Sequence, residues 1–174
     1  MPEIKFTPGQ PLVAHRDRVQ PEWIDYNGHM NVAYYVLAFD RATDALFDAV
    51  GLDAAYRERT KFSTFALECH VVYKREVAEG DPLRFEVQML DFDGRFFHYL
   101  CRMFHDGENF LAATVEWISC GVDLATRRPA TFPPEIAALF QALWDAHRDM
   151  PRPPEAGRTI GIKRKSGAPA AAGA

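Results

Sequence analysis

The feature that most limits how this chain can fold is one long run of helical periodicity followed by a change of period. From Val32 the apolar positions fall at 32, 35, 36, 39, 43, 46, 47 and 50, with Thr43 the weakest member. This i, i+3, i+4, i+7 spacing predicts an amphipathic helix. Asn31 before it is a good N-cap, and Gly51 after it stands where a C′ glycine ends a helix. Downstream the period falls to two. Leu83, Phe85, Val87 and Met89 alternate with Arg84, Glu86 and Gln88, the pattern of an antiparallel strand with one buried face.

The remaining elements follow from turn chemistry. Residues 12 to 20 read as a short strand ended by Gln20-Pro21. Phe65 to Tyr73, Phe96 to Phe104 and Phe110 to Val122 read as strands. Glu79-Gly80-Asp81-Pro82, Asp91-Phe92-Asp93-Gly94 and His105-Asp106-Gly107-Glu108-Asn109 are the turns between the later strands. Pro133-Pro134 opens a last helix with Ile136, Leu139, Phe140, Leu143 and Trp144 on one face. A single long helix needs a sheet to bury its stripe. An antiparallel sheet of about five strands wrapped around one central helix satisfies both, which is the α+β hotdog fold. One domain is expected over residues 1–150. Residues 151–174 are Pro-, Gly- and Ala-rich and basic, and read as a C-terminal tail with its last ten residues mobile. A sheet wrapped on one helix leaves apolar surface uncovered, so a homodimer or homotetramer is expected.

Composition narrows the function. A net charge of −4 gives no basic field for nucleic acid. No apolar run approaches the roughly 20 residues that a membrane span requires, and no signal peptide follows Met1-Pro2-Glu3. Cys69, Cys101 and Cys120 lack CxxC spacing and lie in strand-like segments, so they read as buried free thiols in a reducing cytoplasm. Thirteen Phe among 174 residues suit a thick core, a subunit interface or an apolar ligand tunnel. His70, His98 and His105 read as exposed strand or turn residues without metal-ligand spacing.

The chemistry concentrates in Asp25-Tyr26-Asn27-Gly28-His29-Met30-Asn31, immediately before the long helix. A carboxylate, a carboxamide and an imidazole there sit beside unpaired helix N–H groups that can hold developing negative charge. Asp25 can act as base or nucleophile, Asn27 can position it or a water, and His29 can exchange a proton. Gly28 permits a sharp turn and close substrate approach. A bare cap-and-turn reading accounts for Asp25 alone, but less well for the whole cluster. A calcium loop does not fit, because the Glu required eleven positions after Asp25 is Val36.

This segment, followed by Tyr34-Tyr35, resembles the signature of hotdog acyl-CoA thioesterases of the 4-hydroxybenzoyl-CoA type. The resemblance runs over about residues 12 to 123 and includes Tyr73-Lys74-Arg75-Glu76-Val77-Ala78-Glu79-Gly80-Asp81. It implies hydrolysis of an acyl-CoA to free acid and coenzyme A. No separate cofactor is implied, coenzyme A being part of the substrate. The D-x-x-G match places the catalytic carboxylate on Asp25 and the oxyanion-binding amide near Val32, with Gly28, Asn31 and Tyr35 as positioning residues. The segment is also similar to D-x-N-x-H-V-N of plant acyl-carrier-protein thioesterases, which implies Asp25, Asn27 and His29 acting with Glu76. Glu68 is the other carboxylate expected to face the site. Lys74 and Arg75 are candidates for the coenzyme A phosphates, comparable with Arg127-Arg128 and with Lys163-Arg164-Lys165, which also reads as solvated tail. A narrower resemblance joins the opening motif and Gly157-Arg158-Thr159-Ile160-Gly161 to the betainyl-CoA thioesterases of carnitine breakdown.

Two other readings compete. Hotdog hydratases and dehydratases also use an Asp/His pair, but their D-x-N-P-x-H pattern puts His five residues after Asp and Pro after Asn. Here His29 is four after Asp25, and Gly28 follows Asn27. A non-catalytic acyl-CoA-binding module predicts loss of the polar cluster, and the cluster is intact.

Overall fold

A computed structural model describes residues 6–162 of the chain. Strand β1 (Leu12–Arg18) leads through a 3-10 turn, Pro21–Trp23, into helix α1 (Val32–Ala49). A short helix α2 (Ala54–Thr60) precedes β2 (Phe62–Tyr73), β3 (Pro82–Phe92), β4 (Phe96–His105) and β5 (Leu111–Asp123). A two-residue strand β6 (Arg128–Pro129) and helix α3 (Pro134–His147) are the last regular elements of the described chain. The strands lie in the order β1-β3-β4-β5-β2, all antiparallel, with β6 on β5. This curled sheet around one long helix is the hotdog arrangement expected above.

Helix α1 begins where its cap predicts, with Asn31 Oδ1 accepting from the Ala33 N–H at 3.0 Å. Gly51 follows it at φ +75°. The buried face differs from the expected stripe. Ala38 and Ala42 are wholly buried with Tyr35, Phe39, Leu46 and Phe47, whereas Val32 is 59% exposed and Val36 half-buried. Small side chains at Ala38 and Ala42 let the helix lie close on the sheet. Phe39 meets Phe85 of β3, and Phe47 meets Phe97 of β4. Phe97 also packs on Phe140 of α3, joining the C-terminal helix to the same core.

Helix α2 is a departure from the expected plain connection. Asp53 caps it through the Tyr56 N–H, and Lys61 ends it at φ +58°. At seven residues it is too short to show a period. Strand β2 consequently starts at Phe62, three residues earlier than expected. Of the cysteines expected to be buried, Cys101 and Cys120 are, but Cys69 is exposed because β2 is an edge strand with no neighbour beyond it among the described residues. The histidines expected to be exposed are not: His70 and His98 are half-buried, and His105 corrects the reading furthest. It is buried, and its Nδ1 accepts from the Glu108 N–H at 3.0 Å to hold the β4–β5 turn.

The change in composition after Met150 is not where the chain leaves the sheet. Gln88 Nε2 donates to Pro151 O, Lys74 Nζ pairs with Glu155 at 2.8 Å, and the Gly157 N–H donates to Glu116 at 2.7 Å. Pro153 and Glu155 are buried. Residues 151–157 thus form a strap across the outer face of the sheet. Lys163-Arg164-Lys165 and the terminal ten residues lie outside the described residues.

Candidate active site

The loop between β1 and α1 is folded by its own backbone. Ile24 and Met30 form an isolated antiparallel bridge, and the Asp25 N–H donates to His29 O at 3.0 Å. The Gly28 N–H returns to Asp25 O at 3.0 Å, closing a tight turn that Gly28 completes at φ +79°. Two further bonds fix the loop to the body. The Met30 N–H donates to Val77 O, and the Asn31 N–H donates to Trp23 O, each at 2.9 Å. Trp23 is buried, stacks on Tyr34 of α1 and carries the Arg41 guanidinium over its ring at 5.0 Å.

This framework aims Asp25. Its Oδ1 accepts from the Asn27 backbone N–H at 2.8 Å, and its Oδ2 lies 3.4 Å from Asn31 Nδ2. Asn31 therefore caps α1 with its oxygen and faces the carboxylate with its nitrogen. Asn27 contributes its backbone amide, while its side chain is exposed. Asp25 itself is half-buried. The Val32 N–H, first of the helix, has no acceptor among the described residues, since the Ala33 N–H takes the Asn31 cap. A carboxylate and a free helix amide thus stand at one helix end, the pair needed to activate a nucleophile and hold an oxyanion.

His29 and Glu76 form a second pair, with Nε2 and Oε1 3.2 Å apart and both side chains well exposed. Tyr35 is buried, and its hydroxyl is raised above its usual pKa, chiefly by burial and despite a hydrogen bond from the Val77 backbone. Tyr73, at the end of β2, packs edge-to-face on Tyr35 with ring centroids 5.2 Å apart. Its hydroxyl reaches Val32 O at 3.5 Å, and burial raises its pKa as well.

The structure thus gathers Asp25, Asn27, Gly28, His29, Asn31, Val32, Tyr35 and Glu76 at one end of α1. It does not gather Glu68. Strand β2 carries a bulge between Ala66 and Glu68, so Glu68 pairs with Ile118, whose other neighbour is His98. Glu68 therefore sits on the outer face, lining a cavity of about 530 Å³ with His98, Glu116 and Gly157 to Ile160. Five residues of strand, about 16 Å, separate it from Tyr73. Lys74 is held by Glu155. Arg75 lies 3.8 Å above the Phe110 ring and 3.5 Å from Glu108, with its side chain still largely exposed. Tyr73 is the residue of this cluster that the sequence marks least. Its place in the Tyr73-to-Asp81 segment marked the strand end, but not its contact with α1.

Residues 19–140 match the family model described as the thioesterase-like superfamily. The chain is 39% identical over 153 residues to a betainyl-CoA thioesterase of Pseudomonas aeruginosa, covering 88% of this chain and 96% of that protein. It is 30% identical to an L-carnitine dehydrogenase/betainyl-CoA thioesterase of Rhizobium meliloti, where the match covers 88% of this chain and 31% of that longer protein. Among solved structures, it is similar to a hypothetical protein of Staphylococcus aureus determined in complex with CoA, with a TM-score of 0.82 and 26% identity, covering 88% of this chain and 98% of that one. With its fold, its helix-end carboxylate and these relatives, the chain belongs to the thioesterase-like superfamily.

Proposed function

We propose that this protein is an acyl-CoA thioesterase whose substrate is betainyl-CoA. The observation that carries the mechanism is the Asp25 carboxylate, fixed by the Asn27 amide and the Asn31 side chain beside the free Val32 N–H. The thioester carbonyl oxygen accepts from that amide. Asp25 then either takes a proton from an attacking water or attacks the carbonyl itself, and the thiolate of coenzyme A leaves. His29, steered by Glu76, supplies a proton to the leaving sulfur. The choice of betainyl-CoA rests on the Pseudomonas aeruginosa relative, which matches at nearly full length.

The working unit is a homodimer in this reading. Strand β2 is an unpaired edge that exposes Phe65, Leu67 and Tyr73, with Ile118 beside it, an arrangement suited to pairing with a second copy. The Glu68 carboxylate is too far along β2 to serve Asp25 of its own protomer. No described helix is long and apolar enough to cross a membrane.

Thiol release from betainyl-, aromatic and medium-chain acyl-CoAs tests the activity. Asp25→Asn is expected to lower turnover at least about a hundredfold with folding intact. Near-wild-type turnover in that variant would refute the mechanism. A single turnover in ¹⁸O-labelled water separates water attack from an acyl-enzyme anhydride.

A further inference from the structure

From the course of the chain beyond the strap we infer that residues 158–162 form an arm that lies on a second copy of this protein. This inference rests on the homodimer reading given above. The arm has a fixed root, because the Gly157 N–H is tied to Glu116 on the outer face of β5 at 2.7 Å. Beyond that root, among the described residues, no hydrogen bond or ion pair holds residues 158–162. The chain passes from Glu116 over the edge strand β2 at His70 to Tyr73, and stands off that strand across a groove of about 450 Å³. Ile160 and Ile162 are 91% and 88% exposed. One exposed isoleucine needs no account. Two on alternate residues, leading past an unpaired edge, make an apolar side that nothing in its own protomer covers.

Reach decides what covers it. Neighbouring strands lie about 4.8 Å apart, so a partner strand paired to β2 lies about 10 Å from β5, and the partner's own β5 about 14 Å. An extended chain advances about 3.3 Å per residue, which carries Ile160 to about 10 Å and Ile162 to about 16 Å from Gly157. The two isoleucines therefore reach the partner's β2 and β5. A β2 strand paired antiparallel with its own copy over its full length, Phe62–Tyr73, sets His70 opposite the partner's Phe65. Phe65 and Ile118 are the apolar residues exposed on that outer face, at 37% and 36%. Glu68, paired with Ile118 across the strands, is exposed and has no ion pair among the described residues. The arm brings Arg158, likewise without one, and the sequence continues with Lys163-Arg164-Lys165. Apolar and charged groups of the arm thus meet complements on the second copy, and two-fold symmetry makes the contact twice.

Sedimentation equilibrium on the full chain tests this, comparing the dimer Kd of wild type with that of the double variant Ile160→Ser/Ile162→Ser. Both side chains already stand in water within one protomer, so the change leaves the protomer's fold intact, which circular dichroism checks. The Kd is expected to rise by at least about tenfold. Ile160→p-benzoylphenylalanine then reports what the arm touches. Photolysis is expected to give a product of twice the chain mass, joined at Phe65 or Ile118 as located by mass spectrometry. A dimer whose Kd does not move in the double variant overturns the inference. So does a cross-link at single-chain mass, which would lay the arm along its own β2. Both of these outcomes leave the homodimer reading standing. A wild-type chain that stays monomeric at every concentration overturns the homodimer reading itself, and the arm contact with it.

Discussion

The Asn31 side chain joins the start of α1 to Asp25: its oxygen accepts from the Ala33 N–H at 3.0 Å, and its nitrogen stands 3.4 Å from the Asp25 carboxylate. One residue thus has a structural and a chemical role, and substitution can divide them. Asn31→Asp keeps a good cap but replaces the donor facing Asp25 with a like charge. Its thermal stability is expected to stay within about 1 kcal/mol of wild type while thiol release falls by about tenfold or more. Asn31→Ala loses the cap too, at about 1 kcal/mol. Thermal unfolding together with thioesterase rates checks both. Wild-type thiol release in Asn31→Asp would show that only the cap matters.

A histidine far from this site sets the pH range over which the fold is secure. His147 on α3 is buried, accepts the Met89 N–H on Nδ1 at 2.9 Å and bonds Gln10 O through Nε2 at 2.9 Å. The Met89 bond requires the neutral ring, because a protonated Nδ1 has no lone pair to accept with, whereas Nε2–H can donate to Gln10 O in either state. Burial lowers its pKa below the ordinary 6.5. The unfolded chain therefore binds a proton here that the folded chain resists. The stability His147 contributes is complete above about pH 6.5 and is lost as pH falls through the lowered folded value. The thermal midpoint should decline from pH 7.5 toward 5, and His147→Gln should flatten that part of the curve. A wild-type midpoint independent of pH over this interval would contradict the assignment.

Glu116 holds the C-terminal strap. Its Oε1 meets His98 Nε2 at 2.7 Å, and its Oε2 accepts the Gly157 N–H at 2.7 Å, with Arg152 3.8 Å away. Glu116→Ala removes all three contacts and should cost about 1–3 kcal/mol. Trypsin should then cut faster after Arg158, with fragments read by mass spectrometry. Cleavage at the wild-type rate would mean that Lys74–Glu155 and Gln88–Pro151 hold the strap without Glu116.

Much of this was legible because it is local. Asn31 announces a helix start through its own side chain, and the Asp93 turn forms because one carboxylate oxygen takes the N–H groups of Arg95 and Phe96. The clustering of Asp25, Asn27 and His29 was legible because seven residues cannot separate. What stayed hidden depends on distant packing. Ala38 and Ala42 carry too little hydrophobicity to mark a buried face, yet they are what lets the helix approach the sheet. Glu68 illustrates parity. Thr64 and Ala66 point to the helix side beside Tyr99, and strict alternation would put Glu68 with them. The bulge after Ala66 inserts one residue and turns Glu68 to the outer face. Nothing in the composition of Ala66-Leu67-Glu68 signals that bulge.

The oxyanion assignment can be tested by removing a single hydrogen. Val32 is the first residue of α1, the one helical position where proline fits, because no intrahelical bond uses its N–H. The residue before a proline must be extended, and Asn31 already is, at φ −65° and ψ 144°. Val32 is also largely exposed, so losing its side chain opens no cavity. Val32→Pro should therefore keep the helix, the Asn31 cap and the thermal midpoint close to wild type. It deletes the amide that is proposed to hold the developing oxyanion. A donor of this kind is typically worth about 10²–10³ in kcat, so turnover should fall by that factor with little change in KM. Val32→Ala, which keeps the amide, should retain most of the wild-type kcat. A Val32→Pro enzyme that is folded and fully active would exclude the Val32 amide and move the oxyanion site elsewhere on the loop.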